Sequence, residues 1–380
     1  MLLAHLADTH LGYRQYGLSW REEDIYGLFR EAFEGALKEG VNAVLISGDM
    51  FDKYRPPNRA VKVAMEMVEL ASSKGVPTYA VLGEHDLPKR YDLPPQTLIP
   101  RVKLLGTSTT PSHDVLRVDG AEYVIAGISH HPPRRRYLEG LRRAIEGLRP
   151  VLRGRKSVLM LHQNVKQFFR LEEGIDINDI PEEVTYAALG HLHRRVVKVV
   201  EEGRVVAYPG SIDILRMDEV DEWARNGKGY YIVDLSGDEP VVHRVNLDVR
   251  PQAVVRTEYP RHLSDVARAV KALPREPKGI LHVVVKAPAD VKVDIGAEVS
   301  RAVGPSAYVR VRVERYVKSP EEVRMAESLD EVYVVASVLG NPKDPRVVEV
   351  ARAIVKVKNI LAGVEEGDLE AWVEKVLSAR

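Results

Sequence analysis

Leu2-Leu3-Ala4-His5-Leu6-Ala7-Asp8-Thr9-His10 is the stretch on which the reading of this chain turns. Leu2 to Ala7 is a short apolar run of the kind that forms a buried strand, and it stops at a carboxylate and an imidazole two positions apart. Ser19 then opens a helix, with Glu22 three residues on to complete a capping box. Ile25, Leu28, Phe29, Phe33 and Leu37 fall on one face of that helix and Gly40 ends it. Ala43 to Ser47 predicts a second strand, Asn58 caps a second helix reaching about Lys74, and Val76 to Leu82 predicts a third strand. Strands alternating with amphipathic helices at this spacing make a layered α/β core.

Each of these strands ends in a polar motif. The second runs into Gly48-Asp49 and the third into Gly83-Glu84-His85-Asp86. Two later buried runs behave alike: Ser157 to Leu161 ends in His162, and Tyr186 to Leu189 in Gly190-His191-Leu192-His193. Ligands of open α/β sheets bind at strand carboxyl ends, so the five motifs should converge on one rim. The residue types suit a dinuclear metal site. Two divalent ions about 3.5–4 Å apart need a bridging carboxylate and further nitrogen and oxygen ligands. On an extended segment Asp8-x-His10 presents both side chains to one side, as does His191-x-His193. Asp49, after a glycine that permits a tight turn, is the natural bridge, with His162 and residue 84 completing the second metal. Such a pair makes hydroxide from water and neutralises charge on a phosphoryl group. Imidazole with carboxylate favours Mn, Fe or Zn over Mg. A histidine after a strand, or Gly-Asp at its end, is commonplace alone; five such motifs in order are not.

Composition narrows the rest. The chain has 380 residues, enough for two or three domains, and 45% of them are apolar. Without cysteine it has no disulfide, thiolate nucleophile or thiolate metal site. The start lacks the basic and long apolar regions of a signal peptide, and no run is long enough to span a membrane. These features predict a soluble cytoplasmic protein; the resemblance given below implies association with the nucleoid in a prokaryote. The 55 basic and 55 acidic residues cancel, which leaves DNA binding to a local patch. Further strands are predicted at Tyr123 to Gly127 and Gly229 to Leu235, and a hairpin over Val196 to Tyr208 turning at Glu202-Gly203. A helix is predicted over Arg135 to Gly147. The organisation predicted is residues 1–240, a small αβ module over 250–316, and a helical region over 320–380.

The motif series resembles the calcineurin-like metallophosphoesterases. Within them, Leu6-Ala7-Asp8-Thr9-His10-Leu11-Gly12-Tyr13, Ser47-Gly48-Asp49-Met50-Phe51-Asp52, Arg55-Pro56, Gly190-His191-Leu192-His193 and Tyr208-Pro209-Gly210-Ser211 are similar to the Mre-eleven/SbcD nucleases of double-strand-break repair. The specific motifs cover about the first 235 residues. The resemblance implies a four-layer α/β/β/α core with an αβ capping domain and a C-terminal helical hairpin. It implies Asp8, His10, Asp49 and His193 around one metal, and Asp49, Glu84, His162 and His191 around the other, with Mn2+ as the working ion. His85 would face the scissile phosphate as general acid, with Asp86 orienting its ring. The chain departs from the family at Glu84, where the family has Asn, and at Asp52, where it commonly has a His near the substrate. The first exchanges a neutral ligand for a charged one; the second puts any reaction resting on that imidazole in doubt.

For DNA, Tyr13, Arg14 and Tyr16 directly follow the first motif, where an Arg between aromatics suits phosphate contact with base stacking, the alternative being a solvated loop; Arg55 and Arg59 follow the second motif and could hold a backbone phosphate, and Ser211 is a further DNA-binding candidate. Arg134, Arg135, Arg136, Arg142 and Arg143 form the densest basic run, either a solvated helix face or a phosphate-binding one. Val347, Val350, Ile354, Val357 and Ile360, then Leu369, Trp372, Val373, Val376 and Leu377, make apolar stripes that must bury on the body or on a partner. The family has this tail bind a coiled-coil ATPase of the Rad-fifty/SbcC type, and forms homodimers through helices near the site, here Asn58 to Lys74 and the segment Leu87 to Ile99. The function implied is an Mn-dependent exonuclease on duplex ends and endonuclease on single strands. Two alternatives stay open: a scaffold tethering DNA ends with weak catalysis, and a phosphatase of small esters.

Overall fold

In the computed structural model, which describes residues 1–88, 92–107, 110–131, 135–274, 276–317, 331–333, 335–336, 338–341 and 344–361, the opening apolar run forms β1 (Leu2–Leu6). It is followed in chain order by β2 (Ala43–Ser47), β3 (Thr78–Val81), β4 (Val102–Leu104), β5 (Ser112–Val118), β6 (Ala121–Ile128), β7 (Lys156–His162) and β8 (Tyr186–Gly190). Then come β9 (Val196–Val199), β10 (Val205–Tyr208), β11 (Gly229–Asp234) and β12 (Val241–Asn246). One sheet has the order β12-β11-β1-β2-β3-β4 and the other β5-β6-β7-β8-β10-β9. The strands that end in the polar motifs run parallel within their sheets: β1, β2 and β3 in the first, β7 and β8 in the second.

Alternation along each strand explains why both faces are buried. Leu3 and Leu45 point between the sheets to meet Val158, Met160, Tyr186 and Ala207, whereas Ala4, Leu6, Val44 and Ile46 face outward. Outside the first sheet lie α1 (Ser19–Lys38), burying Ile25, Phe29 and Phe33, and α2 (Asn58–Ser73). Outside the second lies α3 (Arg135–Glu146), burying Leu138, Leu141 and Ile145. The order of layers is therefore α/β/β/α, as the resemblance implies.

Three expectations change. Ser19 forms no capping box: Leu18 takes the cap position, and Glu22 instead accepts from Arg14 at 2.8 Å and Tyr26 at 2.7 Å. Asn58 is the first helical residue after Pro57 rather than a side-chain cap. The first sheet also runs a strand beyond residue 240, because β12 pairs antiparallel with β11 along its whole length.

Backbone proximity divides the chain into two units: Met1–Val254 with Ala269–His282 and Pro305–Val309, then Val255–Arg268 with Val283–Gly304 and Arg310–Arg380. The strands Gln252–Glu258, Ile280–Pro288 and Tyr308–Tyr316 form a third sheet, with helices His262–Ala272 and Ile295–Val303 in their connections. This is the strand-helix alternation predicted for the small module. Helix Pro345–Leu361 packs Ala351 and Val355 with Val332 and Ala336, while Ile354 of the predicted stripe is 37% exposed. Leu369, Trp372, Val373, Val376 and Leu377 lie outside the described residues, as does Arg134. No helix among the described residues is long and apolar enough to cross a membrane.

Candidate metal centre

The five motifs meet at the carboxyl ends of β1, β2, β3, β7 and β8. They are tied by the backbone: Asp8 N–H donates to Gly48 O at 3.1 Å and His10 N–H to Asp49 O at 3.0 Å. Close approach depends on glycine. A Cβ on Gly48 would stand 2.2 Å from the His162 ring, and one on Gly83 would stand 2.0 Å from Asp49 Oδ1. Asp8, His10, Asp49 and His191 all have positive φ, four of the seven non-glycine residues that do among those described. The extended reading of Asp8-x-His10 is thus corrected: both residues are left-handed, and the loop wraps its donors inward. Such backbone is costly and persists where surrounding contacts over-determine it, typically at functional sites.

The donors form overlapping groups. Asp8, His10 and His193 bring ligand atoms together, as do Asp8, Asp49 and His162, and Asp49, Glu84 and His85. Asp49 Oδ2 lies 3.4 Å from His162 Nε2 and 3.8 Å from His10 Nε2, between the two sides. His10 Nε2 faces His193 Nε2 at 3.2 Å. Two ligands on one ion with bonds near 2.1 Å stand about 3.0 Å apart in octahedral and about 3.4 Å in tetrahedral geometry. His162 Nδ1 donates to Ser47 O at 2.8 Å, leaving Nε2 as the lone-pair edge; that atom is buried with no hydrogen-bond partner among the described residues. A buried, orphaned imidazole nitrogen beside a carboxylate and a facing pair of imidazoles fit a divalent cation bound by nitrogen and oxygen.

The electrostatics agree. Burial alone would lower the His162 pKa, but the Asp49 and Asp8 carboxylates outweigh it and raise it to about 10. Burial resists ionisation of Asp49, yet His162, His10 and His85 hold its carboxyl well below the usual range. His10 is raised as well, with Asp52, Asp49 and Asp8 outweighing its burial.

The remaining residues sort plainly. Glu84 is exposed, with Oε1 3.9 Å from His191 Nδ1 and 3.7 Å from His85 Nε2. The His85 ring is half exposed at the mouth, and its Nδ1 donates to Asp52 O at 2.7 Å, so Nε2 is the edge that faces solvent. Asp86 does not orient that ring. It is fully buried and accepts from Met50 N–H at 3.2 Å, Phe51 N–H at 3.1 Å and Gly83 N–H at 3.0 Å, fastening the second motif to the third. Ser211 is corrected too: its hydroxyl is buried, donates to Asp213 O at 2.9 Å and receives Lys228 at 2.6 Å, so it offers DNA nothing. Tyr13 donates to Leu215 O, and Tyr16 stacks on Tyr308 with ring centroids 5.9 Å apart. Arg14, Arg55 and Arg59 are exposed and paired with Glu22, Asp92 and Glu23.

Sequence reasoning missed the residues that hold the ligands. Glu219 accepts from His193 Nδ1 at 2.8 Å, and the buried Lys228 ammonium is 2.6 Å from Glu219 and 2.7 Å from His193 O. Burial opposes the charge of Glu219, but Lys228 and His193 keep its carboxyl far below the usual range. Glu172 meets His191 Nε2 at 3.0 Å, and His130 Nδ1 donates to His162 O at 3.0 Å. Such partners fix tautomer and ring orientation. They lie up to 35 residues from the ligand they serve, as Lys228 does from His193, so no local spacing announces them.

Comparison with known proteins agrees with this geometry. Residues 1–226 match the model of the calcineurin-like phosphoesterase superfamily domain. The DNA double-strand break repair protein Mre11 of Sulfurisphaera tokodaii is 34% identical over 293 residues, covering 75% of this chain and 73% of the relative. The Mre11 of Methanocaldococcus jannaschii is 30% identical, with 73% and 75% covered, and that of Aeropyrum pernix 32%, with 79% and 77%.

Proposed function

The chain belongs to the Mre11 proteins of the calcineurin-like phosphoesterase superfamily, a metal-dependent phosphodiesterase of double-strand-break repair, and from that premise we propose an Mn2+-dependent nuclease acting as an exonuclease on duplex ends and an endonuclease on single strands. The observation that carries the reading is the orphaned His162 Nε2 facing Asp49, with His10 and His193 facing each other beside it. Asp8, His10, Asp49 and His193 would hold one ion, and Asp49, Glu84, His162 and His191 the other. When bound, the two ions supply hydroxide from water and neutralise the phosphoryl oxygens.

The chain's own groups do the rest. His85, with Nδ1 fixed on Asp52 O, presents Nε2 to the leaving oxygen and can deliver a proton there from its imidazolium form. Glu219 and Glu172 keep the ligand tautomers of His193 and His191, and Asp86 keeps the loops of Asp49 and His85 in register. The Arg55–Asp92 and Arg59–Glu23 ion pairs are exposed and worth little, so those two guanidiniums can exchange their carboxylates for DNA phosphates, whereas exposed Arg14 is held by the buried carboxylate of Glu22.

Exposed Met65 on α2, and exposed Leu93 and Leu98 in the segment after β3, support a homodimer through α2 and that segment. Exposed Ile354 on Pro345–Leu361 supports docking of a Rad50/SbcC-type coiled-coil ATPase there. The test is cleavage of an end-labelled DNA hairpin in Mn2+ by the intact chain, His85→Gln and Glu84→Asn. We expect the intact chain to cut, His85→Gln to lose about 100-fold or more, and Glu84→Asn to retain cutting. An intact chain that hydrolyses a small phosphodiester but no DNA would establish the phosphatase reading instead.

A further inference from the structure

Beside the metal centre, the chain between His162 and Ile175 folds into a compact loop whose tip carries Leu171, the most exposed large apolar side chain among the described residues at 90%. The exposure is not looseness. Val165 bridges Ile175, and Lys166 N–H donates to Ile175 O at 3.0 Å while Ile175 N–H donates to Asn164 O at 3.0 Å, closing the base. The buried Asn164 amide donates to Phe169 O at 2.9 Å and Glu172 O at 2.7 Å, so one side chain spans the loop. Arg194 donates to the Phe168 carbonyl. Phe168 and Phe169 pack on the core below the second sheet, Phe168 edge-on to Tyr208. The loop therefore places two aromatic side chains inward and holds one leucine out.

What surrounds that leucine points to its use. Arg170 precedes it and has no carboxylate partner among the described residues, whereas Arg14, Arg55 and Arg59 each have one. Glu172 follows it and reaches His191 Nε2 at 3.0 Å, so the tip stands one residue from a group in contact with a metal ligand. A lone apolar side chain beside an unpaired guanidinium, rigidly fixed next to a phosphodiester site, has the makings of a wedge against nucleotides. The cation takes a backbone phosphate, and the leucine takes the face of a base displaced from its stack.

We propose that Leu171 is a wedge that unstacks the terminal base pairs of a duplex so that the strand can enter the metal centre, with Arg170 holding the phosphate beside it. This rests on the nuclease reading above and adds the residue that lets paired DNA be cut. Single strands need no unstacking, so the wedge acts on paired substrates alone.

The test compares the intact chain with Leu171→Asp and Leu171→Ala in Mn2+, reading the ratio of cleavage rates on a blunt duplex and on a single strand of the same sequence. The expected result is a ratio about tenfold lower in Leu171→Asp and intermediate in Leu171→Ala, with Mn2+ binding by titration calorimetry unchanged. A second readout needs no cleavage: with Ca2+, the fluorescence of 2-aminopurine at the duplex terminus should rise on binding the intact chain and rise far less with Leu171→Asp. An unchanged ratio, or equal fluorescence, overturns the wedge. So does a Leu171→Asp chain whose only loss is binding to the coiled-coil ATPase, since that makes the tip a protein contact. An intact chain that opens the terminus without cutting any DNA keeps the wedge and sinks the nuclease reading, so the two failures are separable.

Discussion

Asp86→Ala separates two roles for one carboxylate. If Asp86 only oriented the His85 ring, its loss would reduce catalysis and leave the fold and the metals alone. The structure gives it three backbone N–H groups to hold, of Met50, Phe51 and Gly83, all in a fully buried position. A buried donor left without an acceptor costs about 1–3 kcal/mol. Three of them, softened by whatever water enters the space of the lost carboxyl, come to about 3 kcal/mol or more. That corresponds to a fall in Tm of about 6–12 °C for a unit of this size. Met50 and Phe51 follow Asp49, and Gly83 precedes Glu84, so the same change frees the second and third motifs from one another. Mn2+ affinity should therefore weaken along with stability, whereas Asp86→Asn, which keeps one acceptor oxygen, should fall in between. Calorimetric melting of the metal-free chain and an Mn2+ titration measure both. A Tm within about 2 °C of the intact chain, unaltered Mn2+ affinity and lost DNA cleavage would refute this account and restore the ring-orienting role.

Three further outcomes follow from the same geometry. Burial lowers the His5 pKa to about 3, so the unfolded chain takes up a proton that the folded one does not; stability present above pH 6.5 is lost as pH falls toward 3, by about 2 kcal/mol at pH 5. Denaturant unfolding against pH should show that loss in the intact chain and a flatter profile in His5→Leu. Lys228→Met strands the buried carboxylate of Glu219 and should cost about 3–5 kcal/mol, part of it recovered in Lys228→Met with Glu219→Gln; a double variant no better than the single one would count against the pair. Mn2+ at about a thousand times its dissociation constant should stabilise the chain by about 4 kcal/mol, reversibly with EDTA and far less in His162→Ala; equal stabilisation in that variant would remove His162 from the ligand set.

The parts of the fold legible in the sequence were those specified locally. The apolar runs Leu2–Leu6, Ala43–Ser47 and Thr78–Val81 form strands buried on both faces, and the stripe Ile25, Phe29, Phe33 is the buried face of α1. β5 and β12 escaped because they lie at sheet edges, where partly exposed side chains blur the apolar pattern. Ser19 and Glu22 show a local rule losing to tertiary contacts, since Arg14 and Tyr26 take the carboxylate that a capping box would use. In the site, residue type and strand-end position brought the donors together, but the partners that orient them arrive from distant elements.

The backbone of the ligand loops could not be foreseen from spacing, and it bears on how the centre works. Asp8, His10, Asp49 and His191 each sit at positive φ, a conformation that costs a non-glycine residue roughly 1–3 kcal/mol. The cost is met by bonds between the motifs themselves: Asp8 N–H to Gly48 O, His10 N–H to Asp49 O, Leu11 N–H to Met50 O, and His191 N–H to the Asp8 carboxylate at 3.0 Å. All of these bonds lie within the protein, and they turn the donors inward toward the metal centre. The facing His10 and His193 nitrogens and the orphaned His162 Nε2 are what such a centre looks like from the protein side.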